Sequence, residues 1–249
     1  MCNGSIMDKL ISFSLPLMVS GILQLAFNAV DIIVVGRFSG SQALAAVGST
    51  TALINVFTNL FIGISLGANV LAARFYAAGK DREMSETVHT SITLALISGI
   101  MMAVIGVLLA KWALEIMGTP DDVIGQSALY MRIYFMGMPF FMLYDFGASI
   151  LRSIGDTRRP MYALIVSGVV NVILNLLFVV VFHMGVAGAG LATVGANATS
   201  AVQILYFLTH EELPIRLSFK SLTIDHDAVS KILKIGVPAG PVSYTHLRA

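Results

Sequence analysis

From Pro160 to His210 this chain carries no Asp, Glu, Lys or Arg, and a second charge-free run extends from Phe38 to Ala73. A helix crosses the hydrocarbon core of a bilayer with about 20 apolar residues, so the longer run exceeds one span and accommodates two. Hydrophobic residues make up 57% of the 249, charged residues only 12%, and the mean hydropathy is +0.85. No soluble core hides that much apolar surface. The sequence therefore reads as an all-α polytopic membrane protein.

Hydropathy and turn residues predict six helices near 10–36, 44–75, 88–117, 124–153, 160–183 and 187–209, with a seventh beginning near Ala228. Residues 1–212 then form a six-helix lobe, 213–227 a linker, and 228–241 the start of a second lobe. In the linker, Arg216, Ser218 and Lys220 alternate with Ile215, Leu217 and Phe219, the pattern of a surface strap. The seventh segment repeats the first: Lys9-Leu10 and Leu15-Pro16 recur as Lys231-Ile232 and Val237-Pro238 at one constant offset. Both copies enter from the same side, as in transporters built from parallel repeats. Residues 242–249 abandon the apolar pattern and read as a non-native tail resembling a translated sequencing adaptor.

Loops that stay in the cytoplasm retain Lys and Arg. One side carries Lys9, Arg74, Lys80, Arg82, Arg152, Arg158, Arg159, Arg216, Lys220, Lys231 and Lys234, the other only Arg37, Lys111 and Arg132. This asymmetry predicts a cytoplasmic N-terminus in a multi-pass protein of the inner, cytoplasmic membrane. A net charge of +1 offers no field for a polyanion, so nucleic acid is not an expected partner. The single cysteine, Cys2, permits no internal disulfide.

The first segment interrupts its apolar run with Asp31. A carboxylate in such a helix costs on the order of 3 kcal/mol on insertion scales and is kept where it faces protein or water. Pro16, Ser20, Gln24, Asn28 and Asp31 fall on one seam at helical spacing, while Leu17, Ile22, Leu25, Ile32 and Ile33 face elsewhere. Pro16 removes an N–H from that seam and is expected to kink the helix as a hinge. In segment five, Asn171 and Asn175 stand one turn apart, and in segment six Thr193 and Asn197 share a face. One carboxylate, two amide oxygens and a hydroxyl form a hard-oxygen set suited to Na⁺ or a proton. The plainer reading of the asparagines is interhelical hydrogen bonding, worth about 0.6 kcal/mol per pair in membranes.

In segment four, Tyr134, Met138, Phe141, Asp145, Ser149 and Arg152 share a helical face, with Pro139 as a second candidate hinge. Such a stripe could line a cavity for a lipophilic cation through Met contacts and cation–π attraction; bundle core is the commoner use of such a face. Asp145 could instead pair with Arg152. His89, His183 and His210 fall at predicted helix ends as interfacial residues. No nucleophile with a base, phosphate-binding glycine loop or paired catalytic carboxylates are evident, so an enzyme is not expected and no cofactor is implied.

Leu15-Pro16, the run Asp31 to Arg37, Gly79-Lys80-Asp81-Arg82, the run Leu151 to Thr157, and Asn171 with Asn175 together resemble the multidrug and toxic compound extrusion family from about Ser5 to Pro241. The resemblance implies a six-helix N-terminal lobe, an interlobe linker and the first part of helix seven of a twelve-helix, two-lobe transporter, with a C-terminal lobe as the missing partner. It implies export of small amphipathic or cationic organic compounds, coupled to Na⁺ or H⁺ entry. The family's N-lobe cation site falls on Asp31, Asn171, Asn175 and Thr193 here, and Gln24, Asn28, Tyr134, Met138, Phe141 and Asp145 are the candidate cavity residues. Many relatives carry asparagine where this chain has Asp145, and some carry aspartate where it has Asn175. A lipid-linked precursor flippase of the same superfamily is the rival transport reading; its cavity should be more basic. A non-transporting membrane subunit is the third.

Overall fold

The computed structural model describes residues 6–212 and 214–246. Cys2, Leu213 and the end of the tail, 247–249, lie outside the described residues. The chain is all-helical among them: α1 (Ile6–Phe38), α2 (Gly40–Ala77), α3 (Asp81–Ile116), α4 (Asp121–Met136), α5 (Met138–Ser153), α6 (Arg158–Asn175), a π-helix (Leu176–Val181), α7 (Gly185–Thr209), a 3₁₀ turn (Phe219–Ser221) and α8 (His226–His246). Five helices are long and apolar enough to span a bilayer, and six if α4 and α5 form one broken span. The predicted spans thus exist, and the chain is a multi-pass membrane protein.

Glycines with positive φ make the sharp reversals: Gly79, Gly118 and Gly155 sit in connections between helices, and Gly40 and Gly185 open α2 and α7. Without a Cβ they adopt the left-handed conformation that the chain needs to re-enter the bundle at once. His183 adopts the same conformation, at φ 52°, just past the π-helix.

The break between α4 and α5 differs from the expected proline kink. It falls at Gly137, and the two halves diverge by 46°. Pro139 occupies the first turn of α5, where its missing N–H costs nothing. Gly137 permits the bend to pack, because a Cβ there would stand 2.7 Å from Cγ2 of Val194 on α7. Around Pro16, by contrast, α1 is one continuous helix, with the Ser20 hydroxyl donating to the Pro16 carbonyl at 2.7 Å.

Three apolar clusters hold the bundle. One joins α2, α3, α4 and α5 around Phe61, Met102, Phe135, Met138 and Phe146, and takes in Ile232 of α8. The second lies nearer the linker, where Met84, Val88, Leu151, Ile204 and Leu208 receive Ile215 and Leu217. The third packs Val34 and Val35 of α1 against Ala46, Tyr130, Val179 and Val186. The linker is accordingly not a surface strap throughout: Ile215 and Leu217 are buried, and only Phe219 of the alternating apolar set is exposed.

α8 crosses α2 at a close approach of small residues. A Cβ on Gly67 would lie 2.9 Å from the Gly236 nitrogen, and one on Gly236 would lie 2.7 Å from the Gly63 carbonyl oxygen. Small residues permit such approaches in membranes, where packing rather than water drives helix association. α1 is the least enclosed helix, with only 11% of its apolar window buried. Ile22, Leu25, Ile32 and Ile33 are exposed as the pattern predicts, but so are Gln24 and Asn28; only Pro16 and Ser20 of the seam are buried.

Candidate functional site

Three helices converge on Asp31. α1 carries the carboxylate within its last two turns, α6 presents Asn171 and Asn175 from successive turns of one face, and α7 contributes Thr193. Nδ2 of Asn175 donates to Oδ1 of Asp31 at 2.5 Å and to Oδ1 of Asn171 at 3.2 Å. Asn171 and Thr193 stand beside the same carboxylate. Thr193 donates its hydroxyl proton to the Ala189 carbonyl at 3.1 Å, which leaves the oxygen's lone pairs free to face the cluster. The four residues expected to act together are brought together.

One atom in this cluster is unsatisfied. Asn175 has no exposed surface, yet its Oδ1 accepts no hydrogen bond. A buried amide oxygen without a partner costs about 1–3 kcal/mol, and here it lies on the residue that contacts the carboxylate. A carboxylate, two amide oxygens and a hydroxyl on three helices match the donor chemistry of a hard monovalent cation. No three His, Cys, Asp or Glu side chains converge among the described residues.

The π-helix begins at the residue after Asn175. Its i→i+5 bonding is visible in Phe182 N–H donating to the Leu177 carbonyl at 2.9 Å, and such turns are frequent beside functional groups. Sequence reasoning missed it, since a run of Leu, Phe and Val carries no signal distinguishing π from α geometry. It also missed Tyr130. Tyr130 and Tyr134, with ring centroids 6.3 Å apart, both stand close enough to feel the Asp31 charge. The four-residue spacing of the two tyrosines was the available signal.

The predicted cavity stripe does not form one surface. Tyr134 lies on the α4 side of the bend, half-buried and facing the Asp31 cluster, whereas Met138, with no exposed surface, is part of the core. Phe141 is half-buried, and Asp145 is 8% exposed. Met138 and Asp145 are therefore corrected from cavity lining to interior positions, because the 46° break turns the second half of the stripe into the bundle. Asp145 makes no ion pair with Arg152 among the described residues; it faces Ser65 of α2, and its Oδ2 has no partner. Nearby, Nδ2 of Asn69 donates to the Ser149 carbonyl at 2.7 Å.

His89 is likewise not an interfacial residue. It is 5% exposed, with Nδ1 2.8 Å from the Ser85 carbonyl and Nε2 3.1 Å from the Ser218 amide nitrogen of the linker. His183 and His210 are exposed, as expected.

A MatE family profile matches residues 16–177. The chain is 34% identical over 234 residues to the probable multidrug resistance protein YoeA of Bacillus subtilis, covering 91% of this chain and 50% of that protein. It is 25% identical over 239 residues to the multidrug export protein MepA of Staphylococcus saprophyticus, covering 95% and 52%. Among solved structures, a crystal structure of MATE in the bent conformation superimposes with a TM-score of 0.89 at 23% identity, over 97% of this chain and 54% of the other. The chain spans about half the length of the curated relatives it matches. With the family profile spanning the helices that carry Asp31, Asn171 and Asn175, this chain belongs to the multidrug and toxic compound extrusion family.

Proposed function

We propose that this chain is the N-terminal lobe of a cation-coupled antiporter that exports small amphipathic or cationic organic compounds by alternating access. The observation that carries the reading is the Asp31 carboxylate held by Asn175, whose own carbonyl oxygen is buried without a partner. The names of the relatives, a multidrug resistance protein and a multidrug export protein, support the transport role. Inner-membrane residence with a cytoplasmic N-terminus rests on the Lys and Arg asymmetry.

In this reading Na⁺ or H⁺ binds at Asp31. Without the cation, the Asn175 amide N–H solvates the carboxylate. Na⁺ would take that place, and rotation of the Asn175 amide would turn Oδ1 toward the ion, satisfying the orphaned oxygen at the same moment. A proton would instead neutralise Asp31 directly and remove the reason for the short contact. Either event loosens the bond tying α1 to α6, and α1, the least enclosed helix, is then free to flex about Pro16. Gln24 and Asn28, exposed on α1, with Tyr134 and Phe141, are the proposed contacts of the exported compound.

Calorimetric titration of this chain in lipid nanodiscs with NaCl, against choline chloride at matched ionic strength, tests the site. Saturable Na⁺ binding lost in Asp31→Asn, or proton uptake lost in the same variant, is the expected result. In a two-lobe protein carrying this lobe, Asp31→Asn should abolish gradient-driven efflux; full efflux by that variant overturns the coupling role.

A further inference from the structure

The linker between the lobes is held by an imidazole. Ser218 donates its backbone N–H to Nε2 of His89 at 3.1 Å, and the other ring nitrogen, Nδ1, lies 2.8 Å from the Ser85 carbonyl. A carbonyl only accepts, so Nδ1 carries the proton; Nε2 receives an N–H, so it carries none. The two partners together require the neutral ring in one tautomer. Around this contact the linker is docked at three further points. Leu217 N–H donates to the Leu208 carbonyl at 2.9 Å, Asp225 N–H donates to Oγ1 of Thr90 at 3.1 Å, and Ile215 and Leu217 are buried against α3, α5 and α7.

From this geometry we propose that His89 is a pH-operated latch on the interlobe linker, closed when its ring is neutral and released when it is protonated. Protonation places an N–H on Nε2 opposite the Ser218 N–H, so an attractive contact becomes a repulsive one between two donors. The Ser218 backbone carbonyl points into the 3₁₀ turn, where it receives the Ser221 N–H. Ser218 stands eight residues before α8, and the Asp225 anchor is one residue before it. Release of the linker therefore frees the entry of the helix that crosses α2 at Gly67 and Gly236. The proposal goes beyond the coupling reading and does not depend on it, because the latch contains neither Asp31 nor any substrate contact.

Other ionisable groups border this end of the bundle. On α3, Glu86 is bound by Arg82; on the linker are Arg216, Lys220 and Asp225, the last capping the Asp227 and Ala228 amides; on α5 is Arg152. Just past α7, Glu211 is bound by Arg159, and His210 is exposed with Nδ1 on the Tyr206 carbonyl; on α2 is exposed Arg74, and Lys80 in the turn after it pairs with Glu83 of α3; on α8 are exposed His226 and the Lys231–Asp227 pair. Among these, His89 alone holds a linker amide through a ring nitrogen.

The test uses this chain in nanodiscs, without substrate or Na⁺, carrying Cys2→Ser and Ser221→Cys for a spin label at an exposed linker position. Between about pH 8 and about pH 5, the range in which imidazoles change charge, the immobile spectral component should give way to a mobile one in a single-proton transition. His89→Gln supplies an acceptor that does not titrate and should abolish that transition while leaving the label immobile. A label that stays immobile throughout in the wild-type background overturns the proposal, and so does a transition that persists in His89→Gln. Should His89→Gln fail to fold, nitrogen NMR of the unmodified chain decides: near-neutral pH must show His89 protonated at Nδ1 and bare at Nε2, and the opposite tautomer or a charged ring refutes the latch.

Discussion

Replacing Asn175 with leucine, alone and together with Asp31→Leu, separates a charged coupling site from ordinary polar packing. Asn175 donates to Asp31 at 2.5 Å and to Asn171 at 3.2 Å. A hydrogen bond to an ionised group contributes about 1.5–3 kcal/mol, and a neutral one about 1 kcal/mol. Leucine removes both bonds, but it also removes the orphaned Oδ1, whose burial costs about 1–3 kcal/mol. The single substitution should therefore destabilise by only about 1–2 kcal/mol, the small remainder of larger opposing effects. The double-mutant cycle cancels the terms belonging to Asn175 alone and isolates its coupling to Asp31. With an ionised Asp31 and a contact this short, the coupling should reach about 1.5 kcal/mol or more. Neutral polar pairs in membranes average about 0.6 kcal/mol. Reversible unfolding in mixed micelles measures all four corners. A coupling at or below that neutral average in Na⁺-free buffer would refute the idea that the contact holds a charge.

Gly67→Ala should destabilise by about 1–3 kcal/mol through overpacking, because the new methyl meets Gly236 backbone that has no rotamer with which to yield. Gly48→Ala meets nothing within 4 Å and should be neutral, or stabilising by up to about 1 kcal/mol; equal thermal shifts in the two would contradict the α2–α8 crossing. Gly137→Ala should cost about 1–3 kcal/mol and be largely rescued by Val194→Ala, which removes the atom in its path; a lack of rescue in the same unfolding assay places the strain elsewhere. Arg159→Ala, which separates Asp156 and Glu211 from their shared cation at the start of α6, should cost about 1 kcal/mol, and more than Arg82→Ala in the exposed pair with Glu86.

The parts of this molecule that sequence made legible are those written in local periodicity or in chemistry too costly to be accidental. Hydropathy located every span, and the burial cost of a carboxylate singled out Asp31 before its partners were known. Helical spacing paired Asn171 with Asn175 because one turn is a local relation. What stayed hidden depends on neighbours distant in the chain. The fate of the Tyr134 to Arg152 stripe turned on the bend at Gly137, and that bend is accommodated by Val194 on another helix. His89 looked interfacial because it lies near a helix start, and its role depends on an amide 129 residues away. The alternation in the linker correctly separated Ile215 and Leu217 from their polar neighbours, but it could not show that Phe219 would be left outside.

The six-residue π-helix has a consequence for how such a lobe can change over time. Its wide turns accommodate one residue more than an α-helix of the same rise would hold. Loss of one residue between Leu176 and Val181 would let the segment relax to ordinary α geometry, leaving the Asn171 and Asn175 face untouched. Because the wide turns already absorb the extra residue, what lies downstream would keep its place and Thr193 would stay beside Asp31. A one-residue deletion here should therefore spare the cluster, whereas the same deletion in the α-helical part of α6 turns everything after it by about 100°.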